Sequence, residues 1–198
     1  MGVEYELKFA ATQPQQLMIL EAFPGSVQKI SMETTYYDTA DGALAKRHIT
    51  LRRRLENGTA VCTLKTPGVG AARGEWDCLT DTIEEAIPML CKLSGYQHLG
   101  LLTIHGVIPL CGARFTRQAL LIQQPDFTAE LALDQGILLG GGKEIPLCEV
   151  ELELKEGSEA ALNDFAAAFS QRFGLSIEKK SKFSRAKALA KGDRKSNV

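Results

Sequence analysis

The stretch Cys148-Glu149-Val150-Glu151-Leu152-Glu153-Leu154-Lys155 decides how this chain is read. Side chains alternate across a β-strand, so residues i, i+2 and i+4 share a face. Val150, Leu152 and Leu154 then make one apolar face, and Glu149, Glu151 and Glu153 make the other. Three like charges ~7 Å apart on one strand face repel unless cations sit among them. The chain opens with the same pattern: Tyr5, Leu7 and Phe9 oppose Glu4, Glu6 and Lys8. It returns at 127–134, where Ala129, Leu131 and Leu133 oppose Glu130, Ala132 and Asp134. Between these acidic faces lie Arg52 and Arg54, then Thr63 and Lys65, then Arg73, Glu75 and Asp77.

Such faces suit an antiparallel sheet with one side in water. The segregation of sign argues against that, because solvated faces mix charges with Ser, Thr and Gln. A group of hard carboxylate oxygens is what Mg²⁺ or Mn²⁺ accepts, and cationic faces nearby suit an anion. If the ionic faces look inward, the apolar faces look outward under helices, which describes a closed barrel with a polar lumen. Periodicity alone leaves both arrangements open.

Turn and cap signals fix the remaining elements. Residues 28–38 read as a strand, and 49–56 with 59–66 as a hairpin across Asn57-Gly58. Helices are expected after Thr12, with Gln15 in a capping box and Gly25 as stop. A second helical region runs 81–105, capped by Asp81 and broken near Pro88 and Gly95; a third runs 159–173, between Ser158 and Gly174. Strands are expected at 110–123, 127–134, 136–139 and 146–155, and a basic helix at 181–190. The class is α+β with a largely antiparallel sheet, one domain over 1–190 and a polar tail over 191–198.

Composition excludes several functions. With 23 Lys+Arg against 24 Asp+Glu, no global charge marks a nucleic-acid partner. No apolar run reaches the ~18 residues of a membrane span. The five cysteines lack CxxC spacing, and the opening residues lack a secretory leader, so a reduced, cytoplasmic protein is expected. Gly140-Gly141-Gly142-Lys143 lacks Walker spacing and reads as a turn. Tyr36, Tyr37 and Trp76 read as packing residues.

The ExExK of Glu4, Glu6 and Lys8 resembles the hallmark of the CYTH superfamily, the triphosphate tunnel metalloenzymes. Further similarities follow in order: YYDT at 36–39, LRxR at 51–54, TLK ending at Lys65 and RxE at 73–75. Then come ELALDQG at 130–136, CEVELEL at 148–154 and SKxxR at 181–185. The late segments look most like bacterial inorganic triphosphatases. The resemblance implies a closed eight-stranded antiparallel β-barrel, with a charged lumen and helices packed outside, that hydrolyses a small-molecule triphosphate with Mg²⁺ or Mn²⁺. It implies phosphate contacts from Lys8, Arg52, Arg54, Lys65, Arg73, Arg117, Lys182 and Arg185. It implies metal contacts from Glu4, Glu6, Glu149, Glu151 and Glu153, with Glu75, Glu130 and Asp134 secondary. Glu4, Glu6 and Lys8 would form the catalytic group. The family expects two basic residues two apart after the middle helices. Here Arg117 is followed by Ala119, and Arg114 has the opposite parity, so only a bulge would turn it inward. An organic triphosphate enzyme of the same fold (a thiamine triphosphatase or class IV adenylate cyclase) and a non-catalytic polyphosphate-binding module are the alternatives. Oligomeric state is open.

Overall fold

The computed structural model describes residues 2–68 and 72–192. Its elements run β1 (Gly2–Ala10), α1 (Gln13–Ala22), β2 (Gln28–Asp38) and α2 (Ala43–Lys46), followed by the hairpin β3 (Thr50–Glu56) and β4 (Thr59–Thr66). Next come β5 (Ala72–Leu79), α3 (Ile83–Ser94), α4 (His98–Leu102) and three long strands, β6 (Ile108–Gln124), β7 (Phe127–Gly140) and β8 (Lys143–Gly157). The chain then forms α5 (Glu159–Phe173), β9 (Ser176–Ile177) and α6 (Lys182–Gly192).

Every strand pairing is antiparallel, in the order β5-β4-β3-β2-β6-β7-β8-β1. The first half of β1 pairs with β5, from Gly2↔Glu75 to Tyr5↔Ala72, and its second half pairs with β8. The sheet therefore closes into an eight-stranded barrel. β9 is a short strap on β1, through Phe9↔Ile177. The β3–β4 turn obeys its sequence: Asn57 and Gly58 both have positive φ, 50° and 90°, as a two-residue hairpin turn requires.

The apolar strand faces do look outward. Phe9, Leu131, Leu133, Val150 and Leu152 pack beneath Leu162, Ala166, Phe169 and Phe173 of α5. Across the barrel, Leu51, Cys62, Leu64 and Cys78 pack beneath Ile83, Ala86 and Leu90 of α3. Each such Leu or Phe stabilises the fold by about 1.5–3 kcal/mol.

α6 packs differently. Its Ala186 sits with Met32, Ala113, Phe115, Leu138 and Leu147, which share the strand parity of the ionic faces. This helix therefore closes one end of the barrel from inside. Gly140 permits it, since a Cβ there would lie 2.2 Å from the Ala186 carbonyl oxygen.

Several boundaries differ from expectation. Thr82, not Asp81, caps α3 by accepting from the Glu85 N–H, and the helix runs through Pro88. Burial of Ile83, Ala86, Leu90 and Cys91 on both sides of Pro88 outweighs the one intrahelical bond it removes. α1 ends at Ala22, before Gly25. β7 is a single strand through Gly136, which pairs with Phe115 on one side and Leu147 on the other. α2 and β9 carry too few residues for any periodicity to announce them. The basic helix extends to Gly192, and residues 193–198 of the expected tail lie outside the described residues. No helix among the described residues is long and apolar enough to cross a membrane.

Candidate active site

Closure turns the ionic faces of seven strands, and the apolar Ile30, Met32 and Tyr36 of β2, onto one cavity of about 500 Å³, a size that suits a small molecule. The hairpin supplies Arg52, Arg54 and Lys65, and β5 supplies Arg73 and Glu75. β1 supplies Glu4, Glu6 and Lys8; β8 supplies Glu151, Glu153 and Lys155; Arg117 and Glu130 come from β6 and β7. From the closed end, α6 sends in Lys182. With Glu56 and Asp77, eight cations and eight carboxylates line the cavity, so the wall is neutral when all are ionised. Any anion that enters with a higher charge therefore calls for additional positive charge.

Two acidic groups stand out, and their surroundings differ. Asp134, Glu149 and Glu151 can bring ligand oxygens within 4.8 Å of one another, but basic side chains already fill the space. The Lys182 ammonium lies 2.7 Å from both Asp134 and Glu151 and also contacts Glu149. Arg117 chelates Asp134 through two 2.8 Å bonds and reaches Glu151 at 2.5 Å; Arg185 donates to Glu149. Burial alone would raise the Glu151 carboxyl, but Lys182, Arg117 and Lys8 hold it well below the usual carboxylate range. At Glu149 burial prevails over Lys182 and pushes the carboxyl up to about 7. Lys182 stays above its ordinary value in spite of burial, because Asp134, Glu151 and Glu149 surround it.

The second group is the row Glu6, Glu153 and Glu130, direct partners across β1, β8 and β7. Most of its cations stand farther off, Arg117 lying 3.6 Å from Glu130. Lys8 stands 3.5 Å and Arg73 3.4 Å from Glu6, and Lys155 is 2.8 Å from Glu153 but 3.8 Å from Glu130. Burial lifts the Glu153 carboxyl, and neighbouring Glu4 and Glu130 add to the lift. Like-charged oxygens held together in this way fit a hard divalent cation.

Opposite this row the cations crowd one another. Burial, then Arg52, pulls the Lys65 ammonium below its ordinary value, although Glu75 and Glu4 oppose the shift. Burial, Arg52 and Arg117 do the same to Arg54. The Nε of Arg52 is buried without a hydrogen-bond acceptor, although its terminal nitrogen donates to Glu75 at 3.1 Å. Mutually repelling cations with an unused donor suit an incoming anion.

Of the residues expected at the site, three do not line the cavity. Asp134, Glu149 and Arg185 are enclosed with Lys182 and one another. Arg114 points outward to Glu144 on an exposed surface, and no register shift interrupts the β6–β7 ladder beside it. Glu56 and Lys155 were within reach of parity reasoning, because each continues an ionic face by one rung. Gln16 was not. From α1, outside the barrel, its side-chain amide donates to the backbone carbonyls of Asp134 and Glu149, at 3.1 and 3.0 Å. Tyr36 both packs, with its ring 5.2 Å from Phe183, and lines the cavity near α6. All five cysteines are free thiols.

An antiparallel barrel whose lumen is lined by carboxylates and cations defines an enclosed, charge-lined tunnel. The chain belongs to the CYTH domain family, which matches residues 2–186. It is 33% identical over 140 residues to the inorganic triphosphatase of Haemophilus influenzae, a match that spans 70% of this chain and 40% of that longer protein. Among solved structures it is similar to HpAC1 from Hippeastrum, named for adenylyl cyclase and described with a dominant triphosphatase activity. That likeness has a TM-score of 0.63 at 18% identity, covering 98% of this chain and 96% of that one. PH1819 from Pyrococcus horikoshii OT3 gives a TM-score of 0.62 at 20% identity, over 91% of this chain and 96% of that one. These two likenesses bear on the fold.

Proposed function

We propose that this chain hydrolyses inorganic triphosphate to pyrophosphate and phosphate inside the barrel, with Mg²⁺ or Mn²⁺. The observation that carries the proposal is one enclosed cavity faced by eight cations and eight carboxylates. A triphosphate would add about four or five negative charges to that neutral wall, and divalent cations offset them. The likeness to a curated inorganic triphosphatase supports the same substrate.

Glu6 and Glu153, with Glu4 and Glu130 beside them, are the residues that would hold the metal. When bound, a divalent ion there screens phosphate oxygens and lowers the pKa of a bound water. Arg52, Arg54, Lys65 and Arg73 then bind and orient the phosphate chain from the opposite wall. Lys8 and Lys182 reach it from the closed end. Phosphoryl transfer needs positioning and charge compensation more than a protein nucleophile. Asp134, Glu149 and Arg185 act one layer back, by fixing the ammonium of Lys182.

An organic triphosphate is the weaker reading. Among the described residues, Tyr36 and Phe183 are the aromatic side chains lining the cavity, and both stand by the α6 plug, away from the mouth. The free cysteines support a reducing, cytoplasmic setting. The test is phosphate release from inorganic triphosphate, ATP and thiamine triphosphate, with Mg²⁺ and with chelator. Turnover of inorganic triphosphate that stops on chelation is expected. Preference for an organic triphosphate, or product without metal, would overturn the proposal.

A further inference from the structure

The mouth of the cavity differs in charge from its interior. On β3 the inward rungs run Arg52, Arg54, Glu56, and on β5 they run Arg73, Glu75, Asp77. β3 ends in a carboxylate, and β5 carries one a rung before its exposed terminal Leu79. Glu56 and Glu130 are 35% and 26% exposed at the side chain, against 8% for Glu151 and Lys182; Asp77 is exposed. Lys155, at 38%, stands with them. With Glu153 at 28% and Arg73 at 30%, the exposed rim presents four carboxylates against two cations, whereas the deeper wall presents six cations against four carboxylates.

These rim carboxylates are held in place. Asp77 accepts a 2.5 Å hydrogen bond from the Thr63 hydroxyl, and Glu56 accepts one from Arg54 at 3.3 Å. Resting on the proposed function, we infer that Glu56, Asp77 and Glu130 form an electrostatic gate on chain length: the site takes three phosphoryl groups and rejects a fourth. Arg52 and Arg54 stand ~7 Å apart along their strand, two cationic rungs for one short phosphate chain. A longer chain anchored on them projects its next phosphate to the level of Glu56 and Asp77. There it meets three carboxylates whose compensating cations are Lys155 at the rim and, reaching up from below, Arg54 on Glu56 and Arg117 on Glu130. Because the rim is exposed, salt screens this repulsion, which separates the gate from a steric block.

The test compares kcat/KM for triphosphate and tetrapolyphosphate with Mg²⁺, in the wild type and in the E56Q/D77N double variant. Glu130 is left intact because it belongs to the carboxylate row. The wild type is expected to favour triphosphate by at least about tenfold at low salt, ~1.4 kcal/mol, and progressively less as NaCl rises. The double variant should lose most of that preference while triphosphate kcat/KM stays within about threefold. If the double variant melts early, D77N alone, which keeps the Thr63 hydrogen bond, is read in the same way. An unchanged preference in the variants, or none in the wild type, overturns the gate while the triphosphatase reading stands. A wild type that neither hydrolyses nor binds triphosphate, by calorimetry, removes that reading and the gate with it.

Discussion

Replacing Lys182 with Met removes one charge and keeps the unbranched stem. In the folded chain the ammonium is 8% exposed and lies 2.7 Å from Asp134 and Glu151, with Glu149 also in contact. Three enclosed carboxylates would then share Arg117 and Arg185. Breaking a buried pair from one side costs about 3–5 kcal/mol, because the remaining charge is left uncompensated. The cost must depend on pH. Burial already pushes Glu149 up to about 7 from its ordinary 4.5, with Lys182 present. A carboxyl raised on folding contributes stability that is fully present below 4.5 and lost as pH rises through its folded value. Each such proton changes stability by about 1.4 kcal/mol per pH unit within that window. Without Lys182, Glu149 rises further and Glu151 loses the cation that does most to hold it down, so the variant gains more from acid than the wild type does. Urea unfolding by linear extrapolation at about pH 8 and about pH 5.5 measures both effects. The expected loss is about 3–5 kcal/mol at the higher pH and clearly less at the lower. A loss under about 1 kcal/mol at pH 8, or one equal at both pH values, would refute the reasoning, since it would class the cluster with solvated surface pairs.

Four other outcomes are expected. R52A removes the guanidinium with the unused Nε donor, so triphosphate Kd measured by calorimetry should rise about tenfold to a hundredfold, the loss of one or two charged hydrogen bonds; unchanged affinity contradicts its role. E6Q should lower metal-dependent turnover on the order of 10²-fold with little change in melting temperature, because its cations stand at 3.4 Å or more. Q16L leaves the Asp134 and Glu149 carbonyls without their side-chain donor and should cost about 1–3 kcal/mol in urea unfolding. R114A should leave turnover within about threefold of wild type, since its pair with Glu144 is 55% exposed on both sides.

Alternation carried most of the fold and the site. Once Glu4, Glu6, Glu151 and Glu153 are placed on strands, period two assigns each to one face, and the faces agree because a single lumen collects them. Parity also separated Arg117 from Arg114, and the uninterrupted β6–β7 register explains why no bulge intervenes. What alternation could not supply is depth along the barrel. Glu149 and Glu153 have the same parity, but one is enclosed with Lys182 and Arg185 while the other faces the cavity. That difference depends on strand stagger and on where α6 enters, both set by contacts remote in sequence. Gln16 was illegible for a related reason: a polar residue on a surface helix gains its meaning only when the helix docks over two particular carbonyls. Pro88 misled because local propensity yields to the packing of Ile83, Ala86 and Leu90.

The measurement that bears most directly on a shared lumen of opposed walls is a crystal structure with triphosphate and Mn²⁺, the metal located by its anomalous scattering. A manganese peak between Glu6 and Glu153, with phosphate oxygens against Arg52 and Lys65, is the expected result. Manganese seated among Asp134, Glu149 and Glu151 with Lys182 driven out, or triphosphate bound outside the barrel, would contradict it.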